Sequence, residues 1–188
     1  MNTPSHYILN LAFLGRTIAP NANVAITLGA ILPDLPIFAF YIVAKFFYKM
    51  PERQIWSQAY YEPFWQNFIA LFHSFPVAAI ALIICLSCGW KAGAIACASI
   101  ILHSLLDFPL HHHDAHHHFF PFSDYRFISP ISYWDPKHYG NIVALVELLL
   151  VVAVTPVIFG LLQSSFAKAI AIAINILYII GYLCFYAL

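Results

Sequence analysis

Runs of apolar residues long enough to cross a bilayer constrain this chain more than any other feature. Four of them occupy residues 24–47, 68–88, 90–108 and 141–162, and a fifth runs over 166–188. A helix needs about 20 mostly apolar residues to span the hydrocarbon core. Composition agrees, with 62% of the 188 residues hydrophobic and 9% charged, against about 25% charged in soluble domains. So few charges cannot clothe a water-facing surface. The expected fold is all-α: an integral membrane helical bundle of about five transmembrane helices plus a short N-terminal helix, with residues 1–188 forming one domain. Residues 4–18 are apolar but short, and Ser5-His6 behind Pro4 reads as a helix start.

Lys and Arg number 8 and Asp and Glu number 8, so the formal net charge is zero. Without a basic face the chain offers no footprint for nucleic acid. The first cationic residue is Arg16, whereas a secretory signal needs positive charge ahead of its apolar core; the first segment is therefore expected to stay as structure. Cys85 and Cys88 form a C-x-x-C inside an apolar run with no second pair nearby. Together with Cys97 and Cys184 they read as small buried hydrophobes.

The polar breaks differ in kind. "APNAN" (19–23) is a turn by its Pro and Asn content. Residues 49–67 mix charge with Trp56, Tyr60, Tyr61, Phe64 and Trp65, an aromatic set suited to the membrane–water boundary. Residues 109–140 form a long loop rich in His, Pro and aromatics; loops of that length are usually functional or disordered, and its Pro and Asp clusters favour fixed turns over a floppy tail.

Ionisable residues inside spans are costly and usually functional. Here they are Asp34, His73, His103, Asp107 and Glu147, with His6 in the short first segment. A neighbouring backbone group satisfied by Glu147 is an equally good reading of that residue. The turn between the first two apolar segments centres near Pro20, with His6 14 residues before it and Asp34 14 after. In helical arms each lies about 21 Å from that turn. Around Gly89, His73 lies 16 residues before, and His103 and Asp107 lie 14 and 18 after; Glu147 lies 17 before Ser164. Three helical hairpins thus bring these groups to one level. His103 and Asp107 are i and i+4, on the same helix face. An imidazole and a carboxylate aimed at one point suit zinc, and also manganese or ferrous iron.

The third run leaves the membrane beside Asp107 and continues as "PLHHHDAHHH". His111 and His112 are candidates to complete the metal's ligands, although spacing leaves open which loop histidines bind. Asp114 or His116 is placed to act as general base. His117 and His118 read as interchangeable members of the tract. A flexible metal-collecting loop is the competing reading of the tract.

His6, the "LPD" ending at Asp34, the "HS" at His73 and the "HSLLD" of 103–107 resemble, in that order, the membrane-bound metal-dependent hydrolase family, of the LexA-binding, inner-membrane-associated type. The resemblance covers roughly residues 5–140. It implies metal ligation by His6, Asp34, His73, His103 and Asp107, and a hydrolase activity. The H-x-x-x-D among scattered His and Asp is also similar, as a ligand pattern only, to zinc-dependent phospholipase C.

Three functions are then expected to compete, the third being a membrane scaffold whose metal stabilises its loop. In the first, a metal-dependent hydrolase cleaves a phosphoester or ester of an amphiphilic, lipid-like substrate at the membrane boundary. In the second, the chain is a divalent-metal transporter or sensor, but the half of the bundle away from the site looks apolar, which disfavours a through-path. The loops 45–67 and 109–140 fall on the side of the site. They carry Lys45, Lys49, Arg53, Arg126 and Lys137, against Arg16, Lys91 and Lys168 on the other side. Lys and Arg favour the cytoplasmic side, so the site is expected to face the cytoplasm from a plasma (inner) membrane.

Overall fold

A computed structural model of the protein describes residues 1–16 and 21–187. The turn expected near Pro20 lies partly outside the described residues. Helix is the only regular structure among the described residues. The chain opens with α1 (Thr3–Asn10), extended by a π-helical turn over Leu11–Gly15. Next come α2 (Asn23–Ile31), a 3-10 turn (Leu32–Asp34) and α3 (Leu35–Ile42), which ends in a second π-helical turn over Val43–Phe47. Short α4 (Glu52–Ser57) precedes α5 (Pro63–His73) and α6 (Phe75–Ser87). Then follow α7 (Lys91–Asp107), the loop with its 3-10 turn at Pro136–His138, α8 (Gly140–Phe159) and α9 (Ser165–Tyr182).

Three helical stretches are long and apolar enough to cross a membrane: Asn23–Phe47, Gly140–Phe159 and Ser165–Tyr186. The α5–α6 pair, bent by 45°, makes a fourth if it counts as one span. This is fewer than the five expected. The run at 90–108 is one reason: α7 has 17 residues, about 26 Å, and ends where the chain turns into the loop. Large apolar side chains face outward along these helices, among them Leu28, Ile83, Leu149, Phe166 and Leu177, each more than half exposed. An apolar exterior of this extent suits lipid and not water.

Helix α7 lies at the centre, packed against α2 on one side and α6 on the other. Gly29 sets the first approach: a Cβ there would stand 2.2 Å from the Ala96 carbonyl oxygen and 2.6 Å from Ser99 Cβ. Polar side chains lock the same crossing. Asn10 Nδ2 donates to the Ser99 carbonyl (2.9 Å) and to Ser99 Oγ (2.8 Å), and Ser99 Oγ donates to the Ile26 carbonyl (2.7 Å). The α6–α7 turn closes through Gly89, whose φ of +70° is the left-handed conformation glycine adopts without strain. On the other flank Ile8, Leu11, Ile26, Val151, Ile158 and Ala171 form the main apolar core. Asn175 Nδ2 donates to Thr155 Oγ1 (2.7 Å), tying α9 to α8.

Glu147 takes the structural role left open by the sequence. Its Oε1 accepts from the Asn2 backbone N–H (2.9 Å), Ser5 Oγ (2.6 Å) and the Tyr178 hydroxyl (3.1 Å). It anchors the start of α1, where a carboxylate also meets the positive end of the helix dipole. The aromatic segment folds back over α3 and α5, and Phe40, Ala44, Ile55, Tyr60 and Ile69 form a second small core there. Lys45, at the end of this hairpin, pairs with Glu52 (2.6 Å). Of the cysteines, Cys85 and Cys97 are buried, whereas Cys88 and Cys184 are exposed, so the reading of all four as buried holds for two.

Candidate metal centre

Breaks in helices build the site. Pro33 lacks the N–H that would continue α2, and the chain tightens into the 3-10 turn that carries Asp34. Just ahead of this turn, the Ala30 carbonyl of α2 accepts from His103 Nδ1 (2.8 Å). A second break follows His73, where Ser74 turns extended (ψ 122°) and its Oγ caps α6 by accepting from the Val77 N–H (3.1 Å). His73 Nδ1 donates to the Ile69 carbonyl (3.0 Å). Both histidines are thereby fixed with Nε2 pointing inward. Both Nε2 atoms are fully buried without a hydrogen-bond partner.

Asp34, His73, His103 and Asp107 converge there, all buried, each offering a ligand atom within 4.8 Å of the others. His103 Nε2 lies 3.1 Å from Asp107 Oδ2 and 3.6 Å from Asp34 Oδ1; His73 Nε2 lies 3.7 Å from Asp34 Oδ1. The i, i+4 relation of His103 and Asp107 does bring both side chains to one point. Buried nitrogens left unpaired are expensive, and a cation would satisfy them. Two imidazoles with two carboxylates form a donor set that fits zinc, manganese or ferrous iron.

A second group adjoins the first and shares Asp107. Asp107, His111 and His116 also bring their ligand atoms within 4.8 Å of one another. The two carboxylate oxygens thus face different groups: Oδ2 the His103 side, Oδ1 the His111 side at 3.5 Å. The Met1 amino group stands 2.5 Å from Oδ1 and 3.5 Å from His111 Nε2. His6 takes a flanking position. Its Nε2 donates to Asp107 Oδ1 (3.0 Å) and its ring stacks on His103 with centroids 3.6 Å apart. It falls in neither ligand group.

The loop is folded onto the site and is not a loose tract. The Phe75 N–H donates to the His118 carbonyl (2.8 Å), His118 Nδ1 donates to the His73 carbonyl (3.0 Å), and Ser74 Oγ donates to the Phe120 carbonyl. Farther along, the Ser129 N–H donates to the His111 carbonyl and the Tyr133 N–H to that of Leu110, both at 3.0 Å. His116 is consequently buried, stacked on His73 at 4.1 Å, with Nε2 unpartnered. Burial, then the neighbouring His73, holds His116 well below the usual imidazole range, so it is neutral at pH 7. Burial likewise pushes His118 down to about 4. Burial opposes charge on His111 too, but the carboxylates of Asp107 and Asp114 outweigh it and raise its pKa.

The candidate residues therefore separate by role. Asp114 lies 3.0 Å from His111 Nδ1 and accepts from Trp134 Nε1 (3.1 Å), so it reaches the centre through His111. His112 points elsewhere and belongs to a different group with His113 and His138. His117 and His118 are not equivalent, since His118 docks on the His73 carbonyl while His117 Nε2 accepts from Arg126 Nε (2.5 Å). Thr3 escaped the sequence reading. Its hydroxyl donates to Asp34 Oδ2 (2.5 Å), and a lone threonine 31 residues away carries no signal for that.

The fold and site define an all-helical bundle with buried His/Asp clusters able to hold metal. Comparison with protein-family models, curated proteins and solved structures finds no match.

Proposed function

We propose that the protein is a metal-dependent hydrolase of the membrane boundary, cleaving a phosphoester or ester in an amphiphilic substrate. The observation that carries this reading is the position of Asp107, one carboxylate oxygen facing each of two buried ligand groups. Asp34, His73, His103 and Asp107 would hold one ion, and His111 and His116 with Asp107 would hold a second on displacing the Met1 amino group from Asp107 Oδ1. A divalent metal so held supplies an acidified water and polarises a phosphoryl or acyl oxygen. The chain's own residues do the rest. Asp114 fixes the His111 ring, and His6 holds Asp107 from the far side. If only the first group is filled, the unpaired Nε2 of neutral His116 is free to accept a hydrogen bond from the attacking water.

A cavity of about 470 Å³ lies between the loop and α9, lined by Asn2, Tyr133, Trp134, Tyr178 and Tyr182 among others; none of the candidate ligands lines it, and Tyr133, whose ring meets His111 at 4.9 Å, connects it to the centre. Polar edges with an apolar wall suit a headgroup attached to a chain. The resemblance to the membrane-bound metal-dependent hydrolase family points the same way. Zinc is the metal we favour. In this reading the chain is embedded as five spans, with α5–α6 and α7 counted among them, in a plasma (inner) membrane with the site toward the cytoplasm.

Metal transport is disfavoured by the same structure. Away from the site, Asn10 Nδ2, Ser99 and Thr155 are engaged with backbone or with one another, and the unpartnered Asn10 Oδ1 and Asn23 Oδ1 belong to no ligand group among the described residues. The test combines elemental analysis of purified protein with a panel of phosphoester and ester amphiphiles. Hydrolysis should depend on zinc or manganese and stop on chelation. Metal flux in proteoliposomes with no hydrolysis across the panel would replace this reading with the transporter.

A further inference from the structure

His112, His113 and His138 form a third group of imidazoles, outside the centre built around Asp107. His111 turns inward and is buried, while the next two residues face the other way, His112 half-buried and His113 exposed. His138 comes from the 3-10 turn that precedes α8. The rings of His112 and His138 stack with centroids 3.6 Å apart and an interplanar angle of 22°, and His113 meets both edge-on at 4.3 and 5.2 Å.

Their hydrogen bonds settle which nitrogens are free. His112 Nδ1 donates to the Ser129 carbonyl (2.5 Å), and His138 Nδ1 donates to Asp135 Oδ2 (2.8 Å). Asp135 is in turn held by the Lys137 N–H on its other oxygen (2.9 Å). A carbonyl or carboxylate on one ring nitrogen, leaving the other for an ion, is the usual support of a metal-binding histidine. One ligand atom from each of the three histidines lies within 4.8 Å of the others. Nitrogens around a tetrahedral zinc stand about 3.3 Å apart, given bonds of about 2.0 Å. Reaching that spacing takes rotation of the exposed His113 and also unstacking of His112 from His138, because near-parallel rings 3.6 Å apart cannot both aim their in-plane lone pairs at one ion. Among the described residues no carboxylate or fourth histidine joins the set, so a bound ion would keep a position for water.

We propose that His112, His113 and His138 bind a divalent transition metal of the zinc class at the loop surface, and that this ion clasps the start of the His-rich loop to the start of α8. It is separate from the centre around Asp107 and does not depend on what that centre does.

The test uses the full chain in detergent, without an affinity histidine tag, titrated with Zn²⁺ and with Co²⁺ as a spectroscopic probe. The His113→Ala/His138→Ala chain should lose one equivalent of bound metal relative to the parent. It should also lose the part of the Co²⁺ absorption that survives in Asp107→Ala. Zn²⁺ should protect the loop from proteolysis in the parent and in Asp107→Ala, but not in His113→Ala/His138→Ala. Because His113 is exposed and His138 only half-buried, the double variant leaves the core intact. A stoichiometry unchanged by that double variant would overturn the site, and protection that persists in it would overturn the clasp.

Discussion

At the scale of single residues, the most informative group is Asp107, because both ligand groups depend on it. Asp107→Ala should lower bound metal more than His103→Ala, and each should lower it far more than His117→Ala, whose ring pairs with Arg126 at the loop surface. Elemental analysis of the purified variants measures this, and equal metal contents would remove Asp107 from its shared position. Asp114→Asn removes the charge that faces His111 Nδ1 and also alters the acceptor of Trp134 Nε1. By the usual effect of such partners it should weaken metal binding about 10–100-fold, readable by competition with a chelator of known affinity. The sequence carried part of this picture. Asp34, His73, His103 and Asp107 stood out because charge in an apolar run has few bland explanations. Glu147 stood out by the same rule and turned out to anchor α1, since depth alone cannot say which neighbour a carboxylate meets. The sorting of the loop histidines was not legible at all: His112 and His116 differ only in which way a folded-back loop turns them.

Among the elements, the α2–α7 crossing does most to place the ligands, since α2 leads into Asp34 and α7 carries His103 and Asp107. Gly29→Val puts side-chain atoms into the Ala96 backbone, and overpacking of this kind costs about 1–3 kcal/mol, with displacement of Asp34 as its local result. Gly181→Ala in α9 meets nothing within 4 Å and should be neutral or stabilising by up to about 1 kcal/mol. Thermal unfolding in detergent compares the two. A Gly29→Val protein as stable as its Gly181→Ala counterpart would show that the two helices are not in close contact. Helices and their approximate limits followed from apolar runs, while the interruptions at Pro33 and after His73 were only hinted at by Pro33, Pro36 and Pro76. The closeness of α2 to α7 had no signal, because a glycine in an apolar run looks the same whether or not another helix touches it.

For the whole molecule, the apolar exterior predicts that the protein stays with membranes through alkaline carbonate extraction; release into the supernatant would refute the embedded bundle. Ser123 lies exposed on the loop, so a Ser123→Cys chain lacking its other cysteines reports orientation. With the site toward the cytoplasm, a membrane-impermeant thiol reagent should label it only after permeabilisation, and ready labelling of intact cells would reverse the orientation. The scattering of the ligands along the chain also bears on how the protein is made. Asp34 and His116 are 82 residues apart (116 − 34), which at about 5–20 residues per second is on the order of ten seconds of synthesis. Until Asp107 has been made no nascent segment holds the four residues of the first group, and His73 has neither the loop that docks on its carbonyl nor the α7 groups it faces. Whatever ion fills the centre must therefore arrive after α7 and the start of the loop are in place, with α8 and α9 still to follow, so loading doubles as a signal that the last ligand-bearing segment has reached its place.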